Sequence, residues 1–508
     1  MGNSPHTTPI HVLDDYSLLH VFHLYRPFIS GEDENDNTLL FGGRERWVRG
    51  RWWYRLAHVC QRWRNVIFGS SSYLGLSLVC THGTPVADML AHSPPLPLVV
   101  DYFQLDVGIT EDEEGAILAL KQRDRIHRVR IRTSVTSLQT LIGAMDAEYP
   151  ILEYLIIVLP ADDGSTTLIL PETLQAPHLR HLTLEGFALP IGSRLLTTAV
   201  GLVTLSLLMR HPPTHFHPNT LLHWLSFMPQ LETLSIFFST PVPNHETERQ
   251  LTHMPIIAPV TLPNLHYFRF RGVGTYLEAF VHRITTPHLE KLQIDFFNQL
   301  TFPIPRLVQL LNTTERSRFD SAAVFLDEKR GLVQVYPGRD PEAKMKTLNI
   351  AVLCGHLDWQ VSFVAQIFNS LSQMFSAVER LTVKHKVHVR SSEEHNKVDR
   401  TEWHKFLRPF KNVKSLHIGD GLVEQLSRSL ELEDGELPLE LLPELQELWY
   451  SKSGDSGDAF TSFINARQNA GRPVIVVPVP DEPVPVSHAQ GSPAVTSGSS
   501  ETGSNLNP

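Results

Sequence analysis

The chain has 508 residues, 42% of them hydrophobic, and a net charge of −10 from 44 basic and 54 acidic side chains. That length exceeds one compact core and calls for two or three domains or one elongated array, while an acidic balance excludes a global basic field for nucleic acid. Cys60, Cys80 and Cys354 are far apart and form no CxxC pair, which excludes a disulfide framework and fits a reducing compartment.

Residues 1–10 read as a polar, disordered leader without the charged and apolar stretches of a secretory signal. No run approaches the ~18 apolar residues of a membrane helix, so the expected location is cytoplasmic or nuclear. Leu13 to Phe28 is predicted as an amphipathic helix with Leu18, Leu19, Phe22 and Tyr25 apolar and Asp14 or Asp15 at its cap. An acidic loop from Gly31 to Asn37 follows, and then a second helix from about Arg46 to Phe68. Trp52, Leu56, Val59, Cys60, Trp63 and Ile67 form one continuous apolar stripe on that helix. Arg44, Arg46, Arg49, Arg51, Arg55, Arg62 and Arg64 are expected on its solvated face.

Two segments carry a resemblance: Leu13-Asp14-Asp15-Tyr16-Ser17-Leu18-Leu19-His20-Val21-Phe22, and Leu56 through Val59-Cys60, Trp63-Arg64 and Ile67. Together they resemble an F-box, whose pattern opens Leu-Pro-Asp/Glu and ends Val-Cys-x-x-Trp-Arg; Asp14 stands where the pattern has proline. The stretch from Leu74 to Val100 is similar to a large group of fungal F-box-like proteins. The resemblance implies a substrate receptor of a cullin-type ubiquitin ligase, with a Skp-type adaptor and cullin complex as partners and an unknown protein substrate. It implies adaptor contacts at Leu13, Leu18, Leu19, Val21, Phe22, Leu56, Val59, Cys60, Trp63 and Ile67. It implies no catalytic residues and no cofactor. The alternative is a leucine-rich scaffold whose degenerate F-box engages no ligase, a reading that Asp14 favours.

From about residue 120 onward one pattern recurs: apolar, two spacers, apolar, one spacer, apolar. Clear copies sit at Leu152/Leu155/Ile157, Leu179/Leu182/Leu184, Leu202/Leu205/Leu207, Leu231/Leu234/Ile236, Leu265/Phe268/Phe270 and Leu289/Leu292/Ile294. Further copies are Val378/Leu381/Val383, Val413/Leu416/Ile418 and Leu445/Leu448/Tyr450, with weaker ones at Ile126/Val129/Ile131 and Met345/Leu348/Ile350. Spacings of roughly 23 to 35 residues belong to leucine-rich repeats and their looser relatives. The alternating end of each copy predicts a short half-buried strand. Helical stretches lie between them: Leu221, Leu222, Leu225 and Met228 share one face, as do Leu277, Phe280, Val281 and Ile284 behind a capping box of Thr275 and Glu278. Strand and helix together bury their faces only by stacking on neighbours. The expected fold is therefore α/β: a helical module over 11–75, then an irregular leucine-rich-repeat solenoid over 76–475, parallel strands on one side and helices on the other. Asn298 to Pro341 holds no clear copy and is expected to interrupt the array.

Gly454-Asp455-Ser456-Gly457 looks like a serine-protease nucleophile but has no base or barrel scaffold around it, so a surface turn is expected. Asp33, Asn35 and Asn37 begin like a calcium loop that Thr38 and Arg44 then break. His211, His215 and His217 lack an acidic or cysteine partner and are expected in a solvated loop, with no metal. Residues 476–508, rich in Pro, Ser and Gly, are expected to be a disordered tail.

Overall fold

The computed structural model describes residues 12–26, 52–103, 113–159, 167–240, 258–298, 304–313, 319–338, 347–385, 398–433, 436–437, 439–450 and 459–478. The calcium-like loop, the protease-like Ser456 and Arg44, Arg46, Arg49 and Arg51 lie outside them.

One sheet of sixteen strands runs through the protein. Its strands are β1 (Leu78–Thr81), β2 (Leu98–Phe103), β3 (Ile126–Arg132), β4 (Tyr154–Val158), β5 (His181–Glu185), β6 (Thr204–Met209), β7 (Thr233–Phe238) and β8 (Tyr267–Gly272). They continue as β9 (Lys291–Phe297), β10 (Ser321–Leu326), β11 (Arg330–Tyr336), β12 (Thr347–Leu353), β13 (Arg380–His385), β14 (Ser415–Ile418), β15 (Glu447–Tyr450) and β16 (Ile475–Pro478). Strands β1 to β9 lie side by side in chain order, all parallel. At ~4.8 Å per strand the sheet is about 70 Å long.

Each of the eleven motif copies ends in one of these strands. The second apolar position of the eight copies in β3–β9 and β12 falls in one register: Val129, Leu155, Leu182, Leu205, Leu234, Phe268, Leu292 and Leu348. All eight are buried. The first leucine closes a turn before the strand, its N–H reaching the carbonyl three residues back, as Leu202 does to Ala199 and Leu231 to Met228. The next two N–H groups both donate to one carbonyl of the preceding repeat: Glu232 and Thr233 to Val203, then His266 and Tyr267 to Glu232. These repeats lack the Asn or Cys that usually satisfies the turn, and the backbone itself supplies the link between neighbours.

Helices cover the buried face. Leu221, Leu222, Trp224 and Leu225 of the helix Pro218–Leu225 are buried, and Trp224 Nε1 donates to Ile191 O at 2.9 Å. The capping box expected at Thr275 and Glu278 does not form; Val273 caps that helix without a side-chain bond. Glu278 instead accepts from Arg306 N at 2.8 Å and Leu307 N at 2.9 Å, in the first turn of the next helix, Pro305–Thr313. Local spacing suggested a cap within one helix, whereas stacking brings the next helix start into the carboxylate's reach.

The interruption expected over 298–341 is an inserted meander. The sheet order runs β9-β12-β11-β10-β13, and β11 is antiparallel to both neighbours. The buried row crosses it unbroken, through Ile350, Val333, Val324 and Val383. Gln360, buried on the helix Leu357–Ser370, donates from Nε2 to Asp327 O at 2.7 Å and Cys354 O at 2.6 Å. Gly331 leaves the room for it, since a Cβ there would stand 3.1 Å from that of Gln360.

At the far end Arg467 is fully buried and donates to the carbonyls of Leu442, Pro443 and Leu445 at 3.1 to 3.2 Å. It satisfies a turn in which Leu442 adopts φ +48°. Strand β16 includes Val476, Val477 and Pro478, three residues past the boundary expected for the ordered region.

Candidate functional site

Among the described residues four helices precede the sheet: α1 (Asp15–Tyr25), α2 (Trp52–Ala57), α3 (Gln61–Gly69) and α4 (Ser71–Leu74). Asp14 caps α1 by accepting from Ser17 N at 2.6 Å. This bond lowers the Asp14 carboxyl below its usual range. Arg62 of α3 donates to Asp15 Oδ1 at 2.9 Å and to Leu13 O at 2.5 Å, tying the start of α1 to α3. Between the helices Phe22 meets Trp63 edge to face, centroids 4.9 Å apart.

The continuous stripe expected from Arg46 to Phe68 is not formed. The described part is two helices broken at His58–Cys60, with Cys60 extended at φ −159°, ψ 168°. Arg64 Nε donates to Ala57 O at 3.1 Å and closes the end of α2. The break serves two partners. It turns buried Trp53 toward the sheet, where Nε1 donates to Ser77 O at 3.3 Å, while α3 stays on α1.

The ten residues expected at an adaptor interface divide accordingly. Leu18, Phe22 and Ile67 are buried inside the module, and Leu19, Leu56, Cys60 and Trp63 are half-buried. Leu13, Val21 and Val59 are exposed, Val59 at 58% because it sits in the break. The outer surface carries further apolar groups that the resemblance did not mark: Val12, Tyr16, Leu24, Tyr25 and Tyr73. For Tyr16, Leu24 and Tyr25 the signal is present in α1, which is apolar nearly all round. One arc is used by Leu18 and Phe22, and the rest has no core to enter.

The histidines expected in a solvated loop are packed instead. His217 Nδ1 accepts from Asn219 N at 2.9 Å and caps a helix, and His215 lies edge to face with Phe238 at 5.0 Å. Burial pulls the His215 pKa down to about 4. Flanking prolines hid this role, because Pro218 begins a helix at its first position instead of ending structure. Among the described residues no three acidic, histidine or cysteine side chains are grouped to hold a metal, and no helix is long and apolar enough to cross a membrane.

No protein-family model matches the chain, and no curated protein matches its sequence. Among solved structures it is similar to InlP of Listeria monocytogenes at 14% identity and a TM-score of 0.17, over 49% of this chain and 92% of that one. A superposition at that level adds nothing to what the strand register establishes.

Proposed function

We propose that the protein is a non-enzymatic adaptor: the helical module docks onto a Skp-type subunit of a cullin ubiquitin ligase, and the repeat sheet holds the protein to be modified. One observation carries the docking reading. The module keeps Leu18, Phe22 and Ile67 for its own packing yet leaves Val12, Leu13, Tyr16, Val21, Leu24, Tyr25 and Val59 on the outside. Apolar area of that kind marks an interaction surface, and it lies on the segments that resemble an F-box. The sheet supplies the second half, a broad face of aligned side chains on a rigid scaffold. A different observation favours a plain scaffold. Asp14 caps α1 and Trp53 is bonded to Ser77 O, so the module also works as an end-cap of the sheet. Affinity capture of the full chain with mass spectrometry decides between them. Adaptor and cullin together in the eluate support the ligase reading; their absence leaves the scaffold.

A further inference from the structure

The face of the sheet opposite the helices has its own rows. Arg128 of β3, Tyr154 of β4 and His181 of β5 stand side by side in register. With Glu153 and Arg180 they line a cavity of ≈ 250 Å³. Arg130 and Arg132 follow Arg128 at alternate positions of β3, their guanidinium groups 3.9 and 5.6 Å from the Phe103 ring centroid. Arg128 itself stands 5.6 Å from the Tyr154 ring centroid.

The charge here runs against the rest of the molecule. The chain carries −10, and several of its arginines find carboxylates: Arg210 with Glu185, Arg380 with Asp320, Arg400 with Glu433 and Glu436, Arg408 with Glu440, Arg472 with Glu444. Among the described residues Arg128, Arg132 and Arg180 have no such partner within 4.0 Å. Glu153, the acid in the cavity, is held by His127 Nε2 at 3.1 Å. Guanidinium groups left unpaired around a concave site hold a local positive potential and present planar forks that match carboxylates. From Arg128 to Arg132 the cationic strip spans four residue rises, ~13 Å. That is longer than one small anion and fits several side chains of an extended segment, in which alternate residues face the same way. A long nucleic-acid strand would meet the acidic remainder of the protein.

We propose that this part of the sheet binds an acidic, extended segment of a partner protein. One carboxylate sits between Arg128 and Arg180, a second lies toward Arg132, and Tyr154 and His181 offer ring faces to the intervening side chains. The assignment stands whether or not the helical module engages a ligase.

Fluorescence polarisation on the full chain tests it, with an eight-residue labelled peptide alternating Glu and Tyr. Versions with Gln or phosphoserine in place of Glu serve as comparisons. The Glu peptide is expected to bind at least tenfold tighter than the Gln peptide, and to weaken as salt rises. Arg128→Glu with Arg180→Glu should lose that binding at least tenfold, and Arg180→Gln alone severalfold with an unchanged circular dichroism spectrum. Arg194→Glu, exposed on the helical side, should change nothing. Equal binding of the Gln peptide, or full binding by the folded Arg180→Gln and double variants, overturns the proposal. A phosphoserine peptide binding more than tenfold tighter than the Glu peptide overturns the assignment to carboxylates.

Discussion

Strands β3–β9 and the meander β10–β12 reach the same surface by different routes. In the first, every strand is parallel and entered through a turn, and β5 to β9 each pass two N–H bonds to one carbonyl of the repeat before. In the second the chain skips ahead, turns back twice and places an antiparallel strand in the middle. Yet the buried row passes through both without a step. Cross-strand register, and not chain direction, keeps the faces of a sheet consistent. The two regions differ in what holds them. The ladder relies on side-chain stacking between repeats; the meander adds one buried amide, Gln360, that spans its turn and its exit.

Substitutions should separate these two modes. Phe268→Ala removes a fully buried ring between Leu234 and Leu292 and should cost ~3–5 kcal/mol of stability in chemical denaturation. Gln360→Leu leaves the Asp327 and Cys354 carbonyls without their donor and should cost ~2–4 kcal/mol. Its effect should be local. Amide exchange should quicken over 321–336 and 347–353 while β3–β8 keep their protection. Equal acceleration across the sheet would show that the two regions open together. Glu278→Ala removes the cap of the following helix and should cost ~1 kcal/mol.

A further expected effect is on pH dependence. Burial pushes the Asp101 carboxyl up to about 6, against the pull of the Arg130 guanidinium. Between the unfolded value of ~4 and about 6, the folded protein holds a proton there that the unfolded chain has released. Stability from this group therefore falls as pH rises through that window. Urea midpoints of wild type and Asp101→Asn should diverge between pH 4 and 6, with the variant gaining relative to wild type toward neutral pH.

Much of the sheet was legible because the turn leucine and the strand alternation recur together, as at Leu202, Leu205 and Leu207. Strands β10 and β11 were not. Ser321-Ala322-Ala323-Val324-Phe325-Leu326 lacks the turn leucine because β10 does not follow the preceding strand in space. The exposure of Val59 was hidden for another reason. Helical periodicity runs smoothly through Leu56, Val59, Cys60 and Trp63, and the break that accompanies the bond from Trp53 to Ser77 O leaves no mark in that spacing. Within the basic cavity, the alignment of Arg128 with Tyr154 and His181 follows from the spacer positions of three motif copies. That no carboxylate of the described residues pairs with Arg128 or Arg180 within 4.0 Å, Glu153 being held by His127, appears only in three dimensions.

The docking reading is tested most directly by calorimetric titration of the purified full chain with a purified Skp-type adaptor. Wild type should bind with a Kd in the micromolar range or below. Val59→Asp, at an exposed position in the helix break, should weaken binding at least tenfold with its circular dichroism spectrum unchanged. No heat of binding for wild type at tens of micromolar would contradict the ligase-adaptor account and leave the helical module as the cap of a scaffold.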